Sequence, residues 1–596
     1  TLQRCLVKLM QAILESERSH KRESSARVEA TLFSIFSLSL EHLGFLVGFF
    51  VFSLLMGYLS LITPMGLGVR EGVLTFGLSK LIPLSMAGFL SIYTRFALML
   101  SELLFLIFSV LLFKIKALNK KVNYISKHFY ELGLLCFIFI YNLYFIITTF
   151  LRHDNFYTGR FDLGNMDQVV WNTINGRIFQ FTNPDGVNVM SRLSFHADFL
   201  LIFLSPLYLI WNNPKILLLI QTLAISVGAI FIYLIAKLIL KNKKLALLFS
   251  FIFLLNPALQ FVNLYDFHAV AFSTTFLLAA SFYLIRKNIP LMLIFLFLAG
   301  ITKEQIWLIV GLFGCLLAIK SYFCKKRVNA NIAIGLILAF FSFSFFYYLV
   351  NFAMPLARGG EEHFALSYYS EFGESPKSII QNVILSPDKV VETVFQKEKI
   401  DYLFQIFGPL GFLSFVSPGF LIFTIPDFLI KLLSQNKQLY QIYYQYSASV
   451  TPFVFISAIY SISYLIKKMP KMHNFLVIYL LFWSLYTAYL FGPLPGARKP
   501  NIDMYIKQQE DKLEIKKVLS IIPNESSISA SNSLGAHLMH RQNIFTAPIA
   551  TESADFVVLL LRSPNKDLHL INNLKQNINY KIKVEEKSII LFEKNR

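Results

Sequence analysis

The chain runs to 596 residues, of which 55% are hydrophobic and only 15% charged, with a mean hydropathy of +0.57. A soluble domain carries about a quarter charged residues, so this composition excludes a soluble enzyme and sets the abundant Phe and Tyr against lipid. The formal charge of +20 would suggest nucleic acid on a soluble protein; here the charges gather in short loops and set a membrane orientation instead.

The chain opens at Thr1 without Met or a signal-peptide pattern, and residues 1–27 are polar and mixed in charge, so a segment beginning inside a longer protein is expected. Apolar runs near the ~20 residues needed to cross a bilayer follow at 43–62, 84–113, 129–150, 216–240, 245–261, 269–285, 305–319, 331–353, 448–466 and 474–491. Weaker runs at 28–42, 65–80, 196–211, 289–301 and 403–431 bring the expectation to about 10 to 13 transmembrane helices. Gly408-Pro409, Pro418-Gly419 and Pro426 break the last of these into two short helices or a re-entrant hairpin. Such backbone is tolerated at membrane depth only where protein or a wet cavity satisfies it. Cys5, Cys136, Cys315 and Cys324 form no CxxC pair and read as small buried hydrophobes.

Segments 114–127, 237–244, 286–287, 320–327 and 467–471 hold 18 basic residues and no acidic one. By the positive-inside rule these loops are cytoplasmic, and they nearly account for the net charge without a nucleic-acid partner. Loops 151–195, 256–268, 302–304, 354–400 and 434–447 and the tail after 492 then fall on the outer side. The same parity makes 196–211 non-spanning, as suits a 16-residue helix lying in the interface. The tail reads as helix 502–521, strands 527–531 and 555–561, helix 566–577 and a hairpin over 579–594, without a Gly-rich phosphate loop. The expected fold class is an all-α polytopic membrane protein with a small C-terminal α/β extramembrane domain, divided at 1–127, 128–494 and 495–596.

The polar residues of the outer loops converge on one face, where ionisable groups are costly and commonly functional. Loop 151–195 supplies Arg160, Asp162, Asp167, Gln168 and Trp171, and it closes on Arg192, His196 and Asp198. The turn at 256–268 adds Asn263, Tyr265, Asp266 and His268, and the next outer turn adds Lys303 and Glu304. Asp162 and Asp167 read equally as helix caps and as acid/base groups. The two Asp/His pairs, His196 with Asp198 and Asp266 with His268, suit a divalent cation such as Mg or Mn, or a base with its orienting partner. Lys303 beside Glu304 is either a self-neutralising pair or a phosphate reader, and Arg160 and Arg192 read phosphate or pair with loop acids. Loop 354–400, with Arg358, Glu361, Glu362 and His363, is long enough for a lid but reads first as a solvated linker. His537, His540 and Arg541 read as local surface chemistry.

The stretches TGRFDLGNMDQVVWNTINGR, TNPDGVNVMSRLSFHADF, NPALQFVNLYDFHAV, GITKEQIW and SASNSLGAHLMHR make residues ~128–596 resemble a family of bacterial and archaeal membrane proteins known as domain of unknown function 2079. That family is similar in topology to the C-type glycosyltransferases, whose first large outer loop carries a catalytic Asp and whose donor is a polyprenyl-phosphate sugar. The resemblance implies Asp162 as base, Asp167 as a second carboxylate, and Arg or Lys side chains on the donor phosphate. Relatives are expected to carry a His-Tyr pair where this chain has Gln445-Tyr446, so that position is given no role. Residues ~1–115, with ITPMGLGVREGVL holding Pro64, Gly66, Gly68, Arg70, Glu71 and Gly72, resemble the terminal part of the flippase-like domain of lysylphosphatidylglycerol synthases. Arg70 and Glu71 are expected to neutralise each other there.

The leading expectation is a plasma-membrane glycosyltransferase with its active face and tail extracytoplasmic. Its catalytic residues would be Asp162 and Asp167, with Arg160, Arg192, Asp266, Lys303 and Glu304 on substrate and His196, Asp198 and His268 on metal. The partners implied are membrane lipid and a polyprenyl-phosphate-linked sugar. The competing readings are a lipid or lipid-linked-sugar transporter that breaks no bond, and a scaffold whose tail binds another protein. Ionisable residues clustered at one interface rather than at mid-membrane favour the enzyme.

Overall fold

The computed structural model of the chain describes residues 40–59, 68–84, 87–88, 90–96, 98–99, 128–325, 330–361, 364–507, 511–561 and 568–595. It divides into two compact units, residues 1–118 with 505–507, and residues 119–504 with 508–596. In the first unit, Gly68 (φ 87°) opens the helix Val69–Leu78 and donates its amide to Glu71 Oε2 at 2.8 Å. Glu71 pairs with Arg95 at 3.5 Å, not with Arg70 as expected, because successive helical positions do not face each other. The Arg70 guanidinium lies over the Phe50 ring at 5.7 Å. Pro64, Gly66, Cys5, the polar residues 1–27 and the basic segment 114–127 lie outside the described residues, as do Glu362 and His363.

The second unit is built on antiparallel apolar helices. Helix Phe129–Asp154 runs against Lys215–Leu240, and charge pairs mark the two ends of the contact. Glu131 takes Lys237 at 3.2 Å and Lys243 at 3.0 Å at one end, whereas Asp154 takes Lys215 at 2.7 Å at the other. Among the described residues, five helices are long and apolar enough to cross a membrane: Phe129–Asp154, Lys215–Leu240, Ile306–Phe323, Ala330–Ala357 and Pro470–Phe491. A sixth span is the bent pair Lys243–Leu255 and Pro257–Leu264, turned by 48° where Asn256 caps the second helix through Leu259 N–H. The protein is therefore membrane-embedded, with fewer full-length spans than apolar runs. The other runs form shorter or buried helices: Ala271–Ile285 and Thr451–Lys468 are apolar because most of their residues are core rather than lipid-facing. Leu200–Leu209 is likewise too short to span. The 403–431 run breaks at its prolines into short 3₁₀ turns before helix Ile425–Leu432. Residues 376–407, expected as linker, are three short helices.

A hairpin of β1 (Gln180–Thr182) and β2 (Val189–Ser191) rises from the polar loop. The tail folds as a five-stranded sheet in the order β4-β3-β5-β7-β6. Its strands are β3 (Ile528–Ala530), β4 (Ile544–Thr546), β5 (Phe556–Leu560), β6 (Tyr580–Glu585) and β7 (Ile589–Lys594). β3 runs parallel to β4 and β5, and β7 is antiparallel to its neighbours. β4 has three residues, too few for an alternating pattern to announce it, and the helix expected over 502–521 holds its regular turns only over Lys512–Ser520.

Helices Ile306–Lys325 and Ala330–Tyr348 approach most closely at Gly314 and Gly335, where an added Cβ would meet opposing backbone at 2.6 Å. Gly335→Val is expected to force these helices apart and lower stability by about 2 kcal/mol. Thermal unfolding in detergent measures the loss.

Candidate active site

The site begins where helix Phe129–Asp154 ends. Residues Arg160–Gly164 form a wide π-type turn held from three directions. Gly159 N–H donates to Asp266 Oδ2 at 2.8 Å. Asn532 Oδ1, just past β3, accepts from Arg160 N–H at 2.8 Å and Phe161 N–H at 3.3 Å. The fully buried Arg160 side chain donates to Thr546 Oγ1 at 2.9 Å, Ile544 O at 2.8 Å and Thr182 O at 3.3 Å. Contact is close enough to require glycine: a Cβ on Gly535 would lie 2.9 Å from Arg160 Cβ.

The turn presents Asp162 to a cavity of about 230 Å³, also lined by Asp185, Arg192, His196, Asp198, His268, Lys303, Gln445 and Tyr446. Asp162 Oδ2 accepts from the Tyr265 hydroxyl at 3.0 Å, and Oδ1 lies 3.2 Å from His268 Nε2. Burial alone would raise the Asp162 pKa, but the His268 and Tyr265 hydrogen bonds and the Arg192 charge outweigh it and hold the carboxyl below its ordinary value. Asp162 is thus an ionised carboxylate that keeps 28% of its side chain exposed, accessible to a ligand. Facing it, Arg192 makes a bidentate pair with Asp198 through Nε and Nη2 (2.8 Å at the shorter contact), with its guanidinium 5.6 Å from the Phe181 ring centroid. Lys303 Nζ sits 5.6 Å from the Tyr446 ring centroid and has no ion pair among the described residues.

The other sequence-predicted residues have different partners. His196 Nδ1 lies 3.0 Å from Glu304 Oε1, and Glu304 Oε2 accepts from Ala197 N–H at 3.0 Å. Burial and Lys303 lower the His196 pKa; burial would raise Glu304, but His196 and Lys303 hold it well below the usual carboxylate range. Asp266 is buried outside the cavity lining, with Gly159 N–H on Oδ2 and Arg152 3.5 Å from Oδ1. Its burial, with the Asp162 charge adding to it against Arg152, pushes its pKa up to about 6. Arg160, committed to the tail, does not line the cavity. Asp167, 1% exposed, accepts from the Tyr208 hydroxyl and lies 3.1 Å from His540 Nε2. His540 in turn stacks on Trp171 at 5.8 Å.

His537 and His540 are therefore not isolated surface groups: His537 stacks on His153 at 4.0 Å, and Arg541 is buried on the Leu538, Pro523 and Ser526 carbonyls. Their partners lie more than 350 positions away in sequence, so no local pattern announces them. Gln445 and Tyr446, given no role on sequence grounds, line the cavity; the aromatic at 446 beside the lone lysine turn was the available signal. No group of three His, Cys, Asp or Glu side chains placed to hold a metal ion occurs among the described residues. His196, Asp198 and His268 are each bound to a different charged partner, so this donor set does not fit a shared cation.

The fold and site define a polytopic membrane protein with an acid- and cation-lined cavity under a small α/β tail. Its sequence matches the family described as predicted membrane protein (DUF2079) over residues 152–591, and the chain belongs to that family. No curated protein matches it. Two solved structures from Archaeoglobus fulgidus superpose on it weakly. One is an oligosaccharyltransferase tethered to an acceptor peptide, with 13% identity and a TM-score of 0.36 over 72% of this chain and 65% of that one. The other is the oligosaccharyltransferase AglB in complex with an inhibitory peptide and a dolichol-phosphate, with 14% identity and a TM-score of 0.37 over 73% and 70%. This chain spans about two thirds of the first neighbour's length, and at these scores the superposition establishes neither substrate nor activity.

Burial would lower the His540 pKa, but Asp167 outweighs it and holds it above the ordinary value. A raised histidine stabilises fully below its unfolded pKa of ~6.5 and loses that contribution as pH rises through the folded value. Amide exchange at 165–174 and 536–546 is therefore expected to quicken between about pH 6.5 and 9, and His540→Gln should flatten that rise.

Proposed function

We propose that this protein transfers a sugar from a polyprenyl-phosphate donor to an acceptor hydroxyl at the outer face of the membrane. The observation that carries the reading is the placement of the ionised Asp162 in one cavity with Lys303 and Arg192. Asp162 takes the proton of the acceptor hydroxyl, whose oxygen attacks the anomeric carbon. The bond from that carbon to the lipid phosphate breaks, and the phosphate leaves with the electron pair toward Lys303 and Arg192. A hydroxyl is a poor nucleophile without such a base. His268 and Tyr265 orient the carboxylate, each from a backbone turn fixed at 265–268. A cavity of about 230 Å³ is below the ~300–1,000 Å³ of drug-sized sites, which favours a single sugar unit over an oligosaccharide.

Sidedness follows from charge. The Lys237 and Lys243 cluster sits at the Glu131 end of helix Phe129–Asp154, and the site sits beyond its Asp154 end. The 26-residue helix is about 39 Å long, enough to separate the two faces. Basic loops inside put the site outside.

Asp162→Asn, which keeps the shape and the hydrogen-bond acceptor to Tyr265, is expected to lower turnover about 10²–10⁴-fold. The assay follows loss of radiolabelled polyprenyl-phosphate sugars by protein in nanodiscs. Binding of donor without turnover in the wild type, unchanged in Asp162→Asn, would overturn the enzyme in favour of a transporter.

A further inference from the structure

Helix Ala330–Ala357 carries two features that the cavity chemistry does not use. At its end stands Arg358, whose Nε, Nη1 and Nη2 are all shielded from solvent and have no hydrogen-bond partner among the described residues. Glu361 is the acid whose charge acts on it, without forming an ion pair among the described residues. A guanidinium stripped of water and left unpaired costs several kcal/mol, and its planar fork matches a phosphate. Along the same helix, Leu336, Phe340, Phe341, Phe345 and Tyr348 line an open apolar groove of about 680 Å³. The groove continues toward Arg358 through Phe352, stacked on Tyr348 at 6.2 Å, and the exposed Leu356.

The spacing selects the occupant. At 1.5 Å per residue, Tyr348 lies about 15 Å and Leu336 about 33 Å along the helix from Arg358. One leaflet of a ~30 Å hydrocarbon core is about 15 Å deep. An acyl lipid with its phosphate on Arg358 therefore reaches only the near end of the groove, whereas a polyprenyl chain runs its whole length. The Met354–Ala357 turn also packs against Arg192–Ser194, which carries a cavity cation, so a headgroup at Arg358 sits beside the site wall.

We propose that Arg358 and the aromatic ridge of helix Ala330–Ala357 form a docking lane for a long-chain polyprenyl phosphate, with phosphate on the guanidinium and the chain along the groove. The choice of occupant rests on the lipid-phosphate donor of the proposed function, but the lane is read by binding, not by turnover.

The test measures binding of tritiated undecaprenyl phosphate to protein in phosphatidylcholine nanodiscs, with geranyl phosphate, undecaprenol and phosphatidylglycerol as competitors. Arg358→Gln should weaken undecaprenyl phosphate about 10-fold or more, as expected for losing a charge-assisted contact. Arg358→Lys should retain part of the affinity. Phe340→Ser should erase the advantage of undecaprenyl over geranyl phosphate, and Asp162→Asn should leave binding unchanged. Wild-type affinity in a folded Arg358→Gln would overturn the lane, as would geranyl phosphate binding as tightly as the long chain. Equal displacement by phosphatidylglycerol would make it an ordinary acyl-lipid contact and also overturn it. If Arg358→Gln unfolds, the Arg358→Lys and Phe340→Ser comparisons decide. Loss of turnover in Asp162→Asn with no effect at Arg358 would spare the proposed function and sink only the lane.

Discussion

The site depends on how the Arg160–Gly164 turn is held. A π-type turn leaves backbone amides without regular helical partners, and here Asp266 and Asn532 supply acceptors for three consecutive N–H groups. Arg160 completes the hold by sending its guanidinium to carbonyl and hydroxyl oxygens of β1 and β4. Hydrogen bonds from a charged donor are worth about 1.5–3 kcal/mol each, and removing such a group leaves buried acceptors unsatisfied at similar cost. Asp162, two positions on, inherits its direction from these contacts.

Around Asp162 the charges are sorted into pairs. Arg192 is matched to Asp198 and Glu304 to His196, while Tyr265 and His268 both address the Asp162 carboxylate. What remains is a carboxylate and a lysine with no carboxylate of its own, sharing one small cavity. Tyr446 lies beneath that lysine, and Lys431 donates to the Tyr446 carbonyl from behind. Acid and cation are thereby kept apart without neutralising each other, the arrangement that a charge-separating transfer requires.

Much of this was legible in the chain because the bilayer imposes length and composition. The apolar runs, the proline-broken segment at 403–431 and the non-spanning stretch after His196 all follow from hydropathy and charge parity. The convergence of 152–198, 265–270 and 302–304 follows from the same parity. Helix count was less legible, since Ala271–Ile285 is as apolar as a lipid-facing span yet is mostly core. Individual partners were least legible. Asp167 and His540, or Arg160 and Thr546, are hundreds of positions apart, and neither composition nor periodicity encodes which loop meets which strand.

The tail is best understood through the edge of its sheet. In open α/β sheets the carboxyl ends of parallel strands are where ligands ordinarily bind. Here the carboxyl ends of β3 and β4 carry Asn532 and Thr546, and both are spent on the backbone and side chain of Arg160. Gly535 admits that side chain at van der Waals distance, leaving no room for a separate ligand. A tail whose binding edge is filled by the membrane unit's own loop is poorly suited to recruit another protein there. It acts instead as a brace, so the geometry of Asp162 belongs to the membrane helices and the tail together, and the two have to fold onto each other before the cavity exists.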